Sequence, residues 1–539
     1  MNVNLYGCRG KWVMCDLGMS FADPSLPGAD LVLPDLEFII ERRADLLGIV
    51  LTHGHEDHIG AIPYLAGNLR VPLYATPFTA GLIRHKLQEA GLEDIPLHIV
   101  QLGGAVELGP VHLRYVALAH SIPEANALVI DTPFGRLFHT GDWKLDDRPL
   151  LGQPANEQQL RQIGANAGQG TLALIGDSTN VFNEELSGSE SRVQEALMQL
   201  VAARRHGRVV VTTFASNAMR LQVLGRVAQA CGRRLVTAGR ALDRIIQIAR
   251  DCGYLKDFPE AISWDEAARM PAEKLLVVAT GTQGEPRAAL ARMAEGTHPI
   301  KLQAGDLVIF SSKQIPGNEL KVARVQNALA AMGVDIITEK QAPVHVSGHP
   351  GQPALRAIYD WIRPRIAVPV HGERRHLEAH ARLALECGVE RAMAAQNGMA
   401  IRLAPDGPEV ASIEVSGRLV VDGSAILPAD GETMVARRRM SWSGHLVVTL
   451  VVAADGGLLA EPAVLASGLA IAEEALPPFE AEVAQAARQA FADCKDIRNK
   501  ERVKEAVRIV VRRIANQWTG KKPVAHVEIV EVAHLPGGM

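Results

Sequence analysis

The segment "LGIVLTHGHEDHIGAIPYL", residues 47–65, constrains this chain more than any other, because it concentrates three histidines and two carboxylates within six positions. An apolar, strand-like run precedes these residues, and an apolar, helix-like segment follows them. Side chains two apart in an extended chain point the same way, so His53 and His55 project together. Asp57 and His58 are adjacent at the start of the helix and diverge. One bend can thus present ligands to two neighbouring metal ions, and imidazole with carboxylate suits zinc or manganese.

Three other predicted strands end in a candidate metal ligand. "VALAH" ends in His120, "LFHTGD" ends in Asp142, and "IAVPVHGE" places His371 after its apolar run. A single histidine at a strand end is usually capped by water or backbone, but three such ends beside one HxHxDH bend favour a metal site. The ligands divide into His53, His55 and His120 for one ion and Asp57, His58 and His371 for another, with Asp142 between them. Two ions about 3.5–4 Å apart would share a water, lower its pKa and aim it at a phosphorus or carbonyl.

Two further carboxylates follow predicted strands. Asp16 comes after "WVMC", and Asp177 comes after "ALIG". They could orient the metal ligands by hydrogen bonds from behind. On local grounds alone, an aspartate that caps a turn is an equally good interpretation of each.

Three glycine-containing loops follow predicted strands and suit contacts with phosphate. In "HVSGHPGQ", residues 345–352, glycine lets the backbone approach an anion while hydroxyl and imidazole groups donate protons. "TGTQGEP" (280–286) and "SSKQIPGNE" (311–319) are similar, with an ordinary strand–helix turn as the alternative for each. The candidate RNA- or phosphate-binding residues are His345, Ser347, Gly348, His349, Thr282, Gly284, Ser311 and Ser312.

Length and composition restrict the class of protein. At 539 residues the chain is too long for one core, and a prior of about 150 residues per domain predicts three or four units. Apolar residues make up 47% and charged residues 22%, as in ordinary globular proteins. The net charge of −4 gives no general support for nucleic-acid binding, so a polyanion needs local basic features. Arg204, Arg205, Arg233, Arg234 and Lys313 could form such a track or merely a solvated surface.

Cysteine usage and apolar runs indicate the compartment. The six cysteines contain no CxxC pair, so neither a disulfide framework nor a cysteine zinc site is expected. Arg9, Lys11 and Asp16 interrupt the start, which argues against a signal peptide. The apolar stretch 445–474 is broken by polar residues such as Asp455, so it predicts strand, turn and strand rather than a membrane span. We therefore expect a cytoplasmic protein that does not enter a membrane.

Hydrophobic patterning divides the chain into regions. Residues 1–180 alternate short apolar runs with polar turns and predict mainly strands. Residues 190–340 alternate strands with helices, which predicts a separate α/β unit with a parallel sheet. "APVHVSG" and "RIAVPVHGE" predict further strands, and 425–445 predicts a polar, basic connector. The helix-like segment 498–518 has apolar residues at helical spacing, which indicates a packing helix or an oligomer contact.

Together these segments resemble the metallo-β-lactamase superfamily, and within it the β-CASP nucleases, most closely bacterial ribonuclease J. The resemblance is carried by "LTHGHEDHIGAIPYL", "LAHSIPEANAL", "HTGDWKLD", "GDSTN", "ATGTQGEP", "SSKQIPGNE", "HVSGH" and "PVHGE". HxHxDH alone is typical of the whole superfamily, whereas the other segments, in this order and at these spacings, are specific to the family. The resemblance implies an α/β fold, with a metallo-β-lactamase αββα sandwich, an inserted β-CASP α/β domain and a small C-terminal α/β domain.

The resemblance also implies domain boundaries. These are 1–180 for the first part of the metallo-β-lactamase domain, 181–342 for the β-CASP domain, 343–430 for the return segment, 431–447 for a linker and 448–539 for the C-terminal domain. Relatives usually begin with a glycine-rich, "GGxGEIG"-like strand, and this chain starts inside that region. We therefore expect either a missing edge strand or a start that is assigned too late.

Residue roles and an activity follow from the same resemblance. It implies metal ligation by the residues grouped above, a supporting role for Asp16, and catalytic roles for Asp57, Asp177 and His349, the last near the leaving group. A histidine at position 371 favours RNA-acting over DNA-acting members. The implied activity is metal-dependent hydrolysis of single-stranded RNA, 5′→3′ from a 5′-monophosphate end and also internally, in RNA decay and maturation. Two divalent ions, zinc first and manganese or magnesium as alternatives, and a homodimer or homotetramer are also implied.

Two other functions stay open at this level. A small-molecule hydrolase of the same superfamily, such as a thioesterase or lactonase, needs no second domain to roof its cleft, so the insertion at 180–340 argues against it. A non-catalytic scaffold in an RNA-processing assembly would not need every ligand. Aromatic residues make up only 4% of the chain, so RNA recognition should use little base stacking and be largely sequence-tolerant.

Overall fold

The structure is a computed structural model that describes residues 1–165, 170–315, 317–494 and 496–532. The chain divides into two compact units. The first consists of Met1–Ser20 and Leu33–Ser416, and the second consists of Phe21–Val32 and the described residues from Gly417 onward. All the predicted site residues belong to the first unit.

Two sheets form the framework of the first unit. In spatial order, one sheet contains the strands Asn4–Cys8, Lys11–Cys15, Leu46–Val50, Leu73–Ala75 and Leu97–Ile99. The other contains Arg391–Ala392, Ile366–Val370, Thr171–Asp177, Gly135–His139, Asn126–Thr132, Val111–Ala117 and Ala105–Leu108. The accompanying helices are Glu37–Glu41, Glu56–Ile59, Ile62–Leu69, Pro77–Ala90, Glu157–Ala165, Gln352–Ile362 and Arg374–Glu386. This is the sandwich that the resemblance implies.

The two sheets share one apolar core. Val13 and Val50 of the first sheet pack with Leu113, Ile130 and Ile175 of the second. The opposite face of the second sheet is covered by helices, so its central strands are buried on both faces. This explains why "TLALIGD" is a continuous apolar run instead of an alternating one, since its residues are all buried.

Strand direction and register bring distant residues to one edge of the second sheet. Thr171–Asp177 runs parallel to both Gly135–His139 and Ile366–Val370. The register places Asp177 opposite Val370, so His371 lies directly beyond that pair. The chain segments that carry Asp142, Asp177 and His371 therefore leave the sheet side by side.

An α/β domain is inserted between the strands of this sandwich. Its parallel sheet has the spatial order Arg234–Ala238, Leu275–Ala279, Val209–Thr212, Leu307–Phe310 and Asp335–Ile337. Its helices are Glu190–Ala203, Ala218–Ala230, Arg240–Asp251, Trp264–Arg269, Ala289–Ala294 and Glu319–Ala331. The loops 280–286 and 311–319 follow the carboxyl ends of two of these parallel strands.

The five predicted basic residues do not form one track. Arg204 and Arg205 precede the strand Val209–Thr212, and Arg233 and Arg234 lie at the start of the strand Arg234–Ala238, from which Leu275–Ala279 separates it, so all four sit at the amino edge of the sheet. Lys313 follows a strand at the carboxyl edge. Arg233 is also buried and donates hydrogen bonds to backbone carbonyls, while Arg204 Nη2 lies 2.7 Å from Asp335 Oδ2. Local charge counting missed this, because the two ends of a parallel strand lie at opposite edges of the sheet.

The second unit contains its own core. A helix pair, Leu476–Ala492 and Lys500–Thr519, packs on a sheet ordered Ala463–Ser467, His445–Ala453 and Val524–Val532. The remaining strands in the described part of the chain are Ser20–Phe21, Leu31–Pro34, Met399–Arg402, Glu409–Ile413, Arg418–Asp422 and Ala425–Pro428. Val503, Val507 and Val511 of the longer helix are buried in the core, which confirms the prediction of a packing helix.

Two predicted local structures differ from the observed ones. The segment 431–447, predicted as a linker, contains the helix Glu432–Ser443, whose Met434 is buried in an apolar cluster of the second unit. One buried residue among charged neighbours gives no helical periodicity to detect. The segment "APVHVSG" is not a strand in the structure, because side chains of the first unit, rather than a neighbouring strand, bind its backbone.

Two expectations about the chain as a whole can be compared with the structure. All six cysteines, which lie within the described residues, are free. In the part of the chain that the structure describes, every helix is too short or too polar to cross a membrane.

Candidate metal centre

The bend at 53–58 is held in place by backbone hydrogen bonds from the segment after the second strand. The strand Leu46–Val50 ends before it, and the helix Glu56–Ile59 starts within it. Leu17 N donates to His58 O at 2.7 Å, and Met19 N donates to Glu56 O at 3.0 Å. The second half of the bend is therefore fixed to the segment 17–19, while His53 and His58 are buried in the first unit.

Three histidine nitrogens converge at what we name the imidazole position: His53, His55 and His120. His55 Nδ1 lies 3.0 Å from His53 Nε2 and 3.1 Å from His120 Nε2. Asp142 Oδ2 lies 3.8 Å from His53 Nε2 and 3.9 Å from His120 Nε2. Ring nitrogens this close cannot all be satisfied by N–H···N hydrogen bonds, whereas one cation satisfies every lone pair, so this donor set fits a metal ion.

A second group, which we name the carboxylate position, consists of Asp57, His58 and His371. His371 Nε2 lies 3.1 Å from Asp57 Oδ2, and His58 Nε2 lies 3.6 Å from the same oxygen. Asp142 Oδ2 is 3.2 Å from His58 Nε2 and 3.7 Å from His371 Nε2. Asp142 thus faces both positions, and within each position the ligand atoms, Asp142 included, lie within 4.8 Å of one another.

The ligand histidines are oriented through their second nitrogens. Asp16 Oδ2 lies 2.7 Å from His58 Nδ1, and the Asp16 carboxylate also accepts a hydrogen bond from Thr52 N at 2.8 Å. His120 Nδ1 lies 2.6 Å from the carbonyl oxygen of Gly348. Such partners fix the ring tautomer and turn the other nitrogen toward a metal, as is typical of metal-binding histidines. Asp16 is therefore placed where a supporting role requires it.

Gly348 is required for this approach. A Cβ built on Gly348 would lie 2.6 Å from His120 Cε1, which is too close for any side chain. The absence of a side chain lets the backbone carbonyl reach the imidazole.

Burial and charge act differently at the two positions. At the imidazole position burial lowers the pKa of the histidines, that of His55 to about 4, so these rings are neutral. At the carboxylate position burial also opposes protonation, but Asp142 and its neighbouring carboxylates outweigh it and raise the pKa of His58 to about 10 and that of His371 well above its ordinary value. The carboxylates at this position, including Asp57, stabilise positive charge. A bound divalent cation would supply that charge in place of protons.

His349 and Asp177 form a pair beside the cluster. His349 Nδ1 lies 2.8 Å from Asp177 Oδ2 and 3.9 Å from Asp142 Oδ2, and its ring stacks on that of His371. Burial opposes protonation of His349, but Asp177 outweighs it and raises the pKa of the imidazole. The same contact lowers the pKa of Asp177 against the effect of burial. A histidine whose Nδ1 is held by a carboxylate can carry a proton on Nε2 toward a substrate.

The loop 345–349 lies between the metal cluster and a polar cavity of about 420 Å³. His345, Ser347 and Lys313 line that cavity, while Gly348 contacts His120 at the cluster. Ser347 Oγ accepts a hydrogen bond from His349 N at 3.1 Å. The structure thus brings the predicted residues of this loop together with the candidate metal ligands.

The candidate residues of the other two loops need correction. Ser311 is fully buried, and its hydroxyl donates to Val344 O at 2.7 Å and accepts from Arg220. Thr282 and Ser312 are also buried, and Gly284 packs against the backbone of Lys321. These residues shape the inserted domain and do not present free groups to RNA. Their small polar character, which suggested phosphate contact, instead reflects tight turns.

Sequence reasoning missed several residues that position the loop. Asn180 Nδ2 donates to His349 O at 3.5 Å, and Ser187 Oγ donates to the same oxygen. Thr179 Oγ1 bonds to His371 Nδ1. Thr179 and Asn180 directly follow the strand that ends at Asp177, so the segment "GDSTN" carried a signal for these two, but only its aspartate was singled out, and Ser187 lies outside that segment.

Arg220 also went unrecognised. It lies on the helix Ala218–Ala230, is fully buried and pairs with Glu190 at 2.9 Å. Its Nη1 donates to the carbonyl oxygens of Ser311 and Val344, both at 2.9 Å. Arg220 thereby fastens the residue before His345 to the inserted domain. An arginine inside a helix is normally exposed, so the sequence alone gives no signal for this role.

Comparisons with known families and proteins agree with the geometry. Four family models match: "Beta-lactamase superfamily domain" over residues 11–160, "Ribonuclease J, beta-CASP domain" over 206–329, "Zn-dependent metallo-hydrolase RNA specificity domain" over 333–393 and "Ribonuclease J C-terminal domain" over 433–532.

Curated relatives match along almost the whole chain. The chain is 41% identical to ribonuclease J of Sinorhizobium meliloti, over 99% of this chain and 95% of that protein. It is 36% identical to ribonuclease J of Mycolicibacterium smegmatis, over 98% of this chain and 95% of that one. It is 33% identical to ribonuclease J of Thermus thermophilus, over 98% of this chain and 93% of that one.

Proposed function

The chain belongs to the ribonuclease J family, and on that premise we propose that it degrades single-stranded RNA 5′→3′ from a 5′-monophosphate end and also cuts RNA internally. In coarser terms it is a metal-dependent ribonuclease, a hydrolase of RNA phosphodiester bonds. This assignment excludes the two alternative functions, a thioesterase or lactonase and a non-catalytic scaffold. We place its activity in RNA decay and maturation.

We propose that the centre holds two divalent ions. His53, His55 and His120 would hold one, and Asp57, His58 and His371 would hold the other, with Asp142 facing both. Nitrogen and oxygen donors suit zinc first, with manganese or magnesium as alternatives. When bound, such ions lower the pKa of water and stabilise charge on a scissile phosphate.

We assign proton transfer to two residues of the chain and the orientation of one of them to a third. Asp57 has 38% of its side chain exposed, against 3% for Asp142 and none for Asp177, so Asp57 is the carboxylate that can accept a proton from attacking water. His349 carries a proton on the side of the ring away from Asp177 and gives it to the leaving 3′ oxygen. Asp177 holds His349 in that orientation and does not itself meet the RNA.

The polar cavity supports recognition of the 5′ end. His345 is partly buried, and its Nδ1 is a buried atom with no hydrogen-bond partner among the described residues. Burial, together with Arg220, Lys313 and Lys144, lowers the pKa of His345 to about 3. The unpaired nitrogen lies near three cationic side chains, in a cavity whose lining also contains Glu339, and this arrangement supports an anion site. The volume of about 420 Å³ lies within the roughly 300–1,000 Å³ typical of small-ligand sites.

The observation that carries the proposal is that one loop serves both places. Ser347 lines the cavity, and the next residue, Gly348, contacts His120 at the metal cluster. A terminal phosphate in the cavity and a scissile phosphate at the metals would thus be close neighbours along one strand. That spacing favours release of one nucleotide at a time.

The test is digestion of one RNA prepared with either a 5′-monophosphate or a 5′-triphosphate, with the products sized over time. We expect mononucleotides to accumulate from the monophosphate form and only internal fragments from the triphosphate form. Equal rates and identical products from both forms would refute end recognition while leaving the ribonuclease assignment intact.

A paired substitution locates the end-binding site. Lys313→Met should reduce the preference for monophosphate over triphosphate RNA about tenfold, because a charge-assisted contact contributes about 1.5–3 kcal/mol. The matched control is Lys301→Met, an exposed lysine that does not line the cavity. An unchanged preference in the first variant would place the terminal phosphate elsewhere.

We further propose that the protein is cytoplasmic and forms a homodimer or homotetramer. The six free cysteines suit a reducing compartment. Light scattering of the purified protein measures the oligomer directly, and a monomer across the working concentration range would contradict this proposal.

A further inference from the structure

The side chain of Asn2 lies in the candidate metal centre. Asn2 is 8% exposed, and its backbone is fixed at both sides. Its N–H donates to Asp57 O at 2.8 Å, and its carbonyl oxygen accepts from Gly18 N at 3.0 Å. The asparagine therefore belongs to the same tight packing that shapes the bend at 53–58.

Gly18 makes this packing feasible. A Cβ on Gly18 would lie 1.7 Å from the carbonyl oxygen of Asp57, so a side chain cannot exist there. The resulting close approach brings the chain around Asn2 against the carboxylate position instead of leaving it at the surface.

The amide group of Asn2 contacts two proposed ligand atoms. Its Nδ2 lies 2.9 Å from His58 Nε2 and 3.2 Å from Asp57 Oδ2, and it also lies 3.2 Å from the backbone oxygen of Asp57. His58 Nδ1 faces Asp16 at 2.7 Å, so Nε2 is the nitrogen left to bind a cation. The amide therefore touches the atoms that would face an ion at the carboxylate position.

These distances equal those between neighbouring ligands of one metal ion. With bonds near 2.1 Å, adjacent ligand atoms lie about 3.0 Å apart in octahedral and about 3.4 Å apart in tetrahedral coordination. An N–H donor placed there would oppose a cation. Rotating the amide by 180° exchanges its nitrogen and oxygen without moving other atoms, and which of the two points inward is an assignment rather than an observation. The rotated amide presents a carbonyl oxygen to the ion and gives up the hydrogen bond from Nδ2 to the backbone oxygen of Asp57, so the bond to the ion must outweigh that loss.

We propose that Asn2 is an additional ligand at the carboxylate position, where its amide oxygen acts together with Asp57, His58, His371 and Asp142. Five protein ligands exceed the four that zinc commonly takes in proteins and suit a harder cation that prefers more oxygen ligands, such as Mn²⁺. This inference rests on the proposed two-ion centre and adds a preference between cations at one of its positions.

The experiment is a titration of the metal-free, full-length protein with Mn²⁺ and, separately, with Zn²⁺, followed by calorimetry and by electron paramagnetic resonance of Mn²⁺. Any affinity tag is placed at the C-terminus, so that the chain still starts at Met1. Asn2→Ala should weaken one of two Mn²⁺ equivalents by at least about tenfold, the order seen when groups around a metal site are removed, and leave the other unchanged. Zinc affinity should fall less, because zinc is satisfied by four ligands.

Two further variants keep the test decisive. Asn2→Asp preserves size and offers a charged oxygen, so it should bind the affected Mn²⁺ equivalent at least as tightly as the parent, even if Asn2→Ala folds poorly. Asn4→Ala makes the same truncation in the strand Asn4–Cys8 and should change neither equivalent.

The outcomes separate the two proposals. A parent protein that binds neither Mn²⁺ nor Zn²⁺ would overturn the two-ion centre and the role of Asn2 with it. Two tight equivalents that are unaffected by both Asn2→Ala and Asn2→Asp would overturn only the ligand role. A broadened or shifted Mn²⁺ resonance of one equivalent in Asn2→Ala, with the other unchanged, is the result expected.

Discussion

The imidazole position takes its nitrogens from residues within the first 120, whereas the carboxylate position depends on His371, which lies 314 residues beyond Asp57. The first is mostly buried, since the His53 and His120 side chains are 0% and 1% exposed and only His55 is partly exposed. The second is more open, with 16% of His371 and 38% of Asp57 exposed. One position is neutral and mostly buried, and the other is charged and more accessible.

This difference predicts different roles for the two proposed ions. Neutral, buried imidazoles favour a zinc ion that stays bound and contributes to stability. Exposed carboxylates favour a harder, exchangeable ion at the place where water and RNA arrive. Asp142, which faces both positions, couples them, so the sharpest tests of the comparison are substitutions on either side of it.

The largest effect is expected from Asp142→Asn, because this change removes the carboxylate shared by both positions. RNA hydrolysis should fall at least about 1,000-fold, since the groups of such a site act as a unit. Bound metal, measured by mass spectrometry, should drop at both positions. The control is Asp147→Asn, a neighbouring aspartate with 84% of its side chain exposed. Full retention of metal and activity in Asp142→Asn would contradict a shared ligand.

The next effect distinguishes the two positions. His120→Ala and His371→Ala should each remove one metal equivalent and reduce hydrolysis about 100-fold or more. The ion that remains should differ: His371→Ala should keep its zinc during dialysis, and His120→Ala should lose its remaining ion more readily. His206→Ala, at an exposed histidine of the inserted domain, is the control. Equal retention of the remaining metal ion in His120→Ala and His371→Ala would contradict a difference between the two positions.

A smaller effect is expected from Asp16→Asn, which changes only the partner of His58 Nδ1. Metal affinity at the carboxylate position should fall about 10–100-fold, as for other hydrogen-bond partners of metal-binding histidines, while the imidazole position stays loaded. Calorimetry of the metal-free protein measures this. The control is Asp45→Asn, a half-exposed aspartate paired with Lys11. Equal weakening of both ions would mean that Asp16 supports the whole fold instead of one position.

The smallest effect concerns acid stability and a histidine outside both positions. His380 is fully buried between Ser178 Oγ at 2.8 Å and Tyr359 OH at 2.9 Å, and burial lowers its pKa to about 4. Between pH 6.5 and 4 the unfolded chain binds a proton that the folded chain does not. The contribution of His380 to the free energy of unfolding is therefore fully present above pH 6.5 and is lost as the pH decreases toward 4.

The share due to His380 is about 3 kcal/mol, from a displacement of about 2.5 pKa units at 1.36 kcal/mol each. His380→Gln should therefore lose less unfolding free energy than the parent between pH 6.5 and 4, as measured by urea denaturation of the metal-free proteins. The variant thereby distinguishes the loss of stability in acid that is caused by burial of His380 from the loss that is caused by the candidate metal ligands. Parallel curves for the two proteins would show that His380 does not titrate in this window.

The sequence predicted the two positions to different depths for physical reasons. His53, His55, Asp57 and His58 are local, so strand and helix periodicity suffices to group them. The sequence indicated His371 as a candidate because it follows an apolar run. Only the register that pairs Asp177 with Val370 brings it to the site. Such pairing is a property of the assembled sheet and leaves no trace in spacing.

The errors have a related cause. Ser311 and Thr282 lie in segments whose composition is typical of phosphate-binding loops, yet tertiary packing buries both side chains. Arg233 lies in a basic segment that is typical of a solvated surface, yet its guanidinium donates hydrogen bonds to backbone carbonyls. Met434 anchors a helix in a segment whose composition is typical of a connector. Composition indicates which groups are available, and only packing decides which of them face inward.

The separation of His371 from the rest of the carboxylate position has a consequence for synthesis on the ribosome. A nascent chain that has emerged as far as Asp142 already carries every residue of the imidazole position but only part of the other. It lacks the imidazole of His371, which follows the inserted domain in the sequence. The carboxylate position can therefore be completed only after translation has passed the inserted domain.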